Sequence, residues 1–187
     1  MTAPADSSAA DTVVLVDEHD RPLGAAPKLA AHERGGQLHR AFSVFIFDGS
    51  GKMLIQRRAP AKYHFAGLWT NACCSHPGAE VPVEAAARQR LRHEFGFDVP
   101  LEKLFTFVYR AEDPATGLTE HEFDHVFVGR FDGRPAPNPD EIDAWEWVDP
   151  ADLLRDVRTR PERYTPWFRL VLERVIERRG RGVGGGE

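Results

Sequence analysis

The chain has 187 residues, enough for one domain with a sizeable core. Hydrophobic residues make up 42% and charged residues 28%, the balance of an ordinary globular protein. A net charge of -5 argues against a broad nucleic-acid surface, which needs a basic face, and no apolar run approaches the roughly 20 residues of a membrane span.

Residues 1–10 are small and polar with nothing to bury, so a disordered extension is expected there. They carry no basic n-region, so a secretory signal is not expected. Thr12 to Val16 is a β-branched run and reads as a strand, followed by turn residues from Asp17 to Arg21. Leu29 to Ala31 reads as a short helix. Ala41 to Phe47 is a strong apolar strand; Asp48-Gly49-Ser50-Gly51 turns the chain, and Met53 to Gln56 returns as its hairpin partner. Val83 to Phe95 is the best helix, with Ala86, Leu91 and Phe95 near helical spacing and Gly96 as its C′ residue. Leu104 to Arg110 and Phe123 to Phe131 are two more strands, and Trp145 to Val148 is a short one. Asp149-Pro150 caps a helix that begins near Ala151, and a last helix runs from about Thr165 to Arg178. No linker or internal repeat interrupts the chain, so a single domain is expected over residues 11–179 and a flexible Arg/Gly-rich tail over 180–187. Strands dominate, with helices between and after them. That order predicts a mixed β-sheet flanked by helices, an α/β (α+β) layered domain.

Three clusters could carry chemistry. His32 and His39 are separated by a loop containing Gly35-Gly36, so two imidazoles could aim at one point from a flexible connection. Taken alone, they read more simply as two surface histidines. The stretch Trp69 to Gly78 crowds Cys, His, Pro and Gly into a tight turn. A Cys two residues before His76 can be an activated thiol, or the two can ligate a metal; a buried loop with inert thiols is the bland alternative. The chain's two cysteines, Cys73 and Cys74, are adjacent and cannot staple a loop. Free thiols without an export signal point to a reducing cytoplasm. A Cys-rich zinc site would need a second Cys/His pair, which the chain lacks. In Glu120-His121-Glu122, beside the strand from Phe123, the two carboxylates share a face. They repel unless a cation sits between them or one keeps a proton, although an exposed strand entry would tolerate both. Three imidazoles and two carboxylates suit Zn²⁺ or Mn²⁺, and Mg²⁺ could also occupy such a site. Glu94 adds a carboxylate, and Lys28, Arg57, Arg58, Lys62 and Arg90 are cations able to meet phosphate oxygens or simply to be solvated.

At these residues the sequence resembles the type I isopentenyl-diphosphate isomerases, a branch of the Nudix fold, from about Val13 to Trp167. Trp69-Thr70-Asn71, followed by Cys74-Ser75-His76-Pro77, resembles that family's thiol motif. Leu29 to His32 and Leu38 to Ser43 resemble its N-terminal metal segment, and Tyr109-Arg110-Ala111 with Glu120-His121-Glu122 resembles its second catalytic segment. The resemblance implies a Nudix-like sandwich and a metal held by His32, His39, His76, Glu120 and Glu122. It implies Cys74, not Cys73, as catalytic thiol, with Glu122 as the opposing proton-transfer group and Tyr109 close to it. It implies a Mg²⁺ at Glu94 that bridges to the substrate diphosphate, which Lys28, Arg58, Lys62 and Arg90 would bind, with Trp167 over the hydrocarbon. The implied reaction interconverts isopentenyl and dimethylallyl diphosphate by protonating and deprotonating an alkene. For it, nearby cations would favour a thiolate at Cys74. The implied partner is a small diphosphate, with neither nucleic acid nor membrane, and the chain is expected to be a monomer in the cytoplasm.

One stretch departs from the wider fold. A Nudix hydrolase needs a helix of the form Arg-Glu-x-x-Glu-Glu-x-Gly, whereas Gln89 to Gly96 keeps only Glu94 and Gly96 of that set. This weighs against the alternative of a Nudix-type diphosphohydrolase. A catalytically inactive metal-binding relative is the other alternative.

Overall fold

A computed structural model describes residues 12–182. The expectations for residues 1–10 and for the end of the tail, 183–187, lie outside the described residues. In chain order, β1 (Thr12–Val16) and β2 (Pro22–Pro27) lead to a one-turn helix α1 (Lys28–His32) and the central strand β3 (His39–Phe47). Then come β4 (Met53–Arg58), the short β5 (Trp69–Thr70) and β6 (Cys73–Ser75), and helix α2 (Val83–Phe95). Two long strands, β7 (Glu102–Glu112) and β8 (Thr119–Arg130), precede β9 (Ile142–Val148), α3 (Pro150–Thr159) and α4 (Pro166–Gly182).

β3 organises the sheet. Along its whole length it pairs parallel with β8, from His39 opposite Glu122 to Phe47 opposite Arg130. Its other edge is shared by three antiparallel partners: β1 at His39, β6 at Phe42 to Val44, and β4 at Ile46 and Phe47. β7 pairs antiparallel with β8 and β9 with β4, so the sheet is mixed.

Strand alternation splits the core into two layers. Phe42, Val44 and Ile46 face α2, where they meet Ala87, Leu91 and Phe95. Phe45 and Phe47 face the other way, into a cluster with Trp167, Phe168 and Leu172 of α4. The expected mixed sheet with helices on its faces is what forms. The buried stripe of α2 runs through Ala87 rather than Ala86, which is only partly buried. Gly96 ends α2 at φ 74°, donating its N–H to the Arg92 carbonyl; a left-handed cap of this kind favours glycine.

Three strands have no sequence signal. β2 contains a glycine between two prolines and is mostly exposed, as an edge strand can be. β5 and β6 lie inside the stretch read as a tight turn, and they are extended because β4 and β3 supply their hydrogen-bond partners. The last helix runs on to Gly182, past Arg178.

Candidate active site and metal centre

Five side chains from four elements converge at one end of the sheet. His32 ends α1, His39 begins β3, His76 follows β6, and Glu120 and Glu122 lie on β8. One ligand atom from each lies within 4.8 Å of all the others. His32 and His39 are fully buried and rooted on a helix and a strand, not carried on a flexible connection. Glu120-His121-Glu122 is inside β8 and alternates as expected. The two carboxylates face the cluster, while His121 turns away to the Gly36 carbonyl. Gly36, at φ 76°, lets the loop pass here; a Cβ on it would stand 2.8 Å from the Thr119 carbonyl oxygen.

The donor set fits a divalent cation. His32 Nδ1 donates to the Lys28 carbonyl at 2.6 Å and His39 Nδ1 to the Gln37 carbonyl at 2.8 Å, which directs both Nε2 atoms into the cluster. His39 Nε2 then lies 3.1 Å from His76 Nε2, and His76 Nε2 lies 2.9 Å from Glu122 Oε1. Two buried carboxylates with ligand atoms no more than 4.8 Å apart repel by at least about 3.5 kcal/mol at an effective dielectric near 20. A divalent cation among them offsets that repulsion.

Titration follows the same contacts. Burial opposes charge on His32, but the Glu120 hydrogen bond and carboxylate outweigh it and raise the imidazole above its ordinary value. Burial also works against an ionised Glu120, yet His32 and His64 hold that carboxyl well below the usual range. For Glu122, burial and the Glu120 charge push up, and contacts from His39 and His76 carry it down. Burial lowers His76 to about 4.

A cleft enclosing roughly 500 Å³, part of it solvent, opens beside this cluster. Glu120, Glu122 and His76 form one wall, and Cys74, Tyr109 and Trp167 face the same space. Lys28, Arg58, Lys62 and Arg90 line it too. Cys74 and Glu122 therefore share one cavity, reached from strands on either side of β3. Tyr109 Oη donates to Glu122 Oε2 at 2.6 Å. Trp167 Nε1 donates to Asn71 Oδ1 at 3.2 Å, which anchors the indole.

Residues 37–168 match the NUDIX domain family. An isopentenyl-diphosphate Delta-isomerase 2 of Aromatoleum aromaticum is 56% identical over 89% of this chain and 87% of its own length. An isopentenyl-diphosphate Delta-isomerase 2 of Photorhabdus laumondii is 49% identical over 87% of this chain and 90% of its own. The chain belongs to the isopentenyl-diphosphate Delta-isomerase branch of the NUDIX family. A crystal structure from Deinococcus radiodurans has the same fold, with a TM-score of 0.73 at 23% identity, covering 87% of this chain and 98% of that one.

Within this isomerase fold, alternation along β6 separates the two thiols. Cys73 is fully buried in the α2-side core, and Cys74 packs toward the opposite layer, where the cleft lies. The expected thiolate at Cys74 does not fit this setting: burial pushes the thiol far above its ordinary value, and the Arg58 charge does not reverse that.

The cations are already engaged. Lys62 and Arg90 both contact Glu141, and Arg90 also donates to Glu94 Oε1 at 2.5 Å. Arg58 donates to the carbonyls of His64 and Phe65 and lies over the Trp167 ring, 5.5 Å from its centroid. Lys28 lies over Tyr63 at 5.3 Å. Glu94 is buried outside the five-ligand group, its Oε2 accepting from Gln56 at 2.7 Å. Arg57 points elsewhere, paired with Asp143 at 2.6 Å.

Sequence reasoning did not single out the cleft residues Tyr63, His64 and Ser75, nor Glu141, which pairs with Lys62 and Arg90, nor Asp124, beyond Glu122 on β8. Asp124 is fully buried, accepts from Ser43 Oγ at 2.6 Å, and extends the Glu120, Glu122 alternation by one step. That parity was a usable signal. Glu141 and His64 sit in connections, where no periodicity marks them.

Proposed function

We propose that the chain interconverts isopentenyl diphosphate and dimethylallyl diphosphate, with Cys74 and Glu122 as the two proton-transfer groups. The reading is supported by one observation: Cys74 and Glu122, from strands on either side of β3, line the same cleft as the Trp167 indole. Shifting an unactivated double bond requires one group that gives a proton and another that takes one. Burial favours the protonated thiol at Cys74, and contacts from His39 and His76 favour the ionised carboxylate at Glu122, which supports that complement.

Tyr109 donates to the ionised Glu122 and steadies it. The Trp167 face shelters the tertiary cation formed on protonation, since an aromatic face attracts a cation without reacting with it. Lys28, Arg58, Lys62 and Arg90 take the diphosphate, whose binding energy is gained away from the reacting carbons. A cation at His32, His39, His76, Glu120 and Glu122 (Mn²⁺, Zn²⁺ or Mg²⁺) would hold Glu122 in place and favour its ionised form. Glu94, whose Oε1 now accepts from Arg90, would hold a Mg²⁺ carried by the diphosphate. The chain is read as a monomer acting on this small substrate in a reducing cytoplasm.

The test is conversion of isopentenyl diphosphate with and without a chelator. Formation of dimethylallyl diphosphate that stops on chelation and returns with Mn²⁺ or Mg²⁺ supports the reading. Release of inorganic phosphate instead would favour hydrolysis and overturn it.

A further inference from the structure

The two metal-facing carboxylates are held in the same way, by different partners. Glu122 gives Oε1 to the histidine cluster and has Oε2 pinned by the Tyr109 hydroxyl at 2.6 Å. Glu120 gives Oε2 to the cluster, 2.9 Å from His32 Nε2, and its Oε1 is in close contact with His64 Nε2. A carboxylate can only accept here, so the ring N–H of His64 is the donor. We propose that His64 is a positioning residue for the metal centre, fixing Glu120 so that a single oxygen faces the cation. The inference rests on the cation reading of the five-residue cluster.

The local backbone supports the assignment. His64 is 6% exposed, and its Nδ1 has no partner among the described residues, so the ring's one polar tie is to Glu120. The next residue, Phe65, adopts φ 48°, a left-handed conformation unfavourable for a bulky side chain. Three contacts hold it there: Asp113 accepts from the Phe65 N–H at 3.0 Å, and the Arg58 side chain donates to the carbonyls of both His64 and Phe65. Strain of this kind persists where the surroundings over-determine it. Here it turns His64 onto Glu120 and the Phe65 ring onto Trp167, with centroids 5.3 Å apart. Removing a donor behind a metal ligand typically costs 10- to 100-fold in metal affinity.

The experiment titrates Mn²⁺ calorimetrically into the full chain, stripped beforehand with chelator, comparing wild type with His64→Ala and His64→Gln. Thermal melting of each stripped chain is recorded alongside. The expected result is binding about 10- to 100-fold weaker in His64→Ala, with most of the loss recovered in His64→Gln, whose amide N–H can reach Glu120. If His64→Ala does not fold, His64→Met, of similar bulk and without a donor, replaces it. Wild-type affinity in the donor-less variant would overturn the positioning role and leave the cation reading standing. A glutamine no better than alanine would overturn it as well. A wild-type chain that binds no Mn²⁺ would overturn both.

Discussion

Replacing Tyr109 by Phe isolates one hydrogen bond at the reacting carboxylate. The hydroxyl donates to Glu122 Oε2 at 2.6 Å, and both residues are buried. A hydrogen bond to a buried ionised group contributes about 1.5–3 kcal/mol. The ring itself stays packed, stacked on Phe107 with centroids 5.3 Å apart, so the fold loses little. The deleted donor stabilises only ionised Glu122, so its loss raises the proton affinity of that carboxyl by roughly 1–2 pH units. At present the carboxyl is held below its ordinary value, so raising it costs activity from the acid side. The expected outcome is an acid limb of the kcat/KM profile displaced upward by roughly 1–2 pH units, so that the rate falls most near pH 5 and least at pH 8–9. Dimethylallyl diphosphate formation across pH 5–9 measures this. A Tyr109→Phe chain with wild-type rate and an unmoved acid limb would refute the role assigned to this contact.

Three other outcomes follow from the same site. Cys74→Ala should abolish turnover, whereas Cys73→Ala, which truncates a side chain in the α2-side core, should keep turnover and lower the melting temperature; equal losses of activity would contradict the assignment of the two thiols. Trp167→Leu should lower kcat about 30-fold, the equivalent of roughly 2 kcal/mol of cation–π stabilisation, with Trp167→Phe less affected; a leucine chain at wild-type kcat would remove the indole from the mechanism. Mn²⁺ affinity should fall as pH drops below the raised value of His32, about tenfold per unit, because the metal must displace a proton from Nε2; Glu120 stays ionised across that range and adds no slope. Affinity that is flat from pH 8 to 5.5 would contradict His32 as a ligand.

How much of this was legible depends on where each residue sits. β3 and β8 announced themselves by apolar runs, and α2 by its spacing and its glycine cap, because each buries a face that its own sequence must supply. Alternation along β8 put Glu120 and Glu122 on one side, and the same rule applied one step further reaches Asp124. β5 and β6 were not legible, since two or three residues carry no period and only partner strands make them extended. His64 was hidden for a related reason: it lies in the connection between β4 and β5, and only the long-range contact with Glu120, 56 residues away in sequence, gives it meaning. The ionisation of Cys74 came out opposite to the reading from charge alone, because burial outweighs the nearby guanidinium. Burial of that kind is a property of the assembled layers and cannot be counted along the chain.

The most direct test of two separate proton-transfer groups is conversion of isopentenyl diphosphate in D₂O, followed by NMR. A thiol and a carboxylate that exchange with solvent must place deuterium in a methyl group of the dimethylallyl diphosphate formed. Dimethylallyl diphosphate free of solvent deuterium would mean that the same hydrogen moved across the substrate, and the paired Cys74 and Glu122 account would fail.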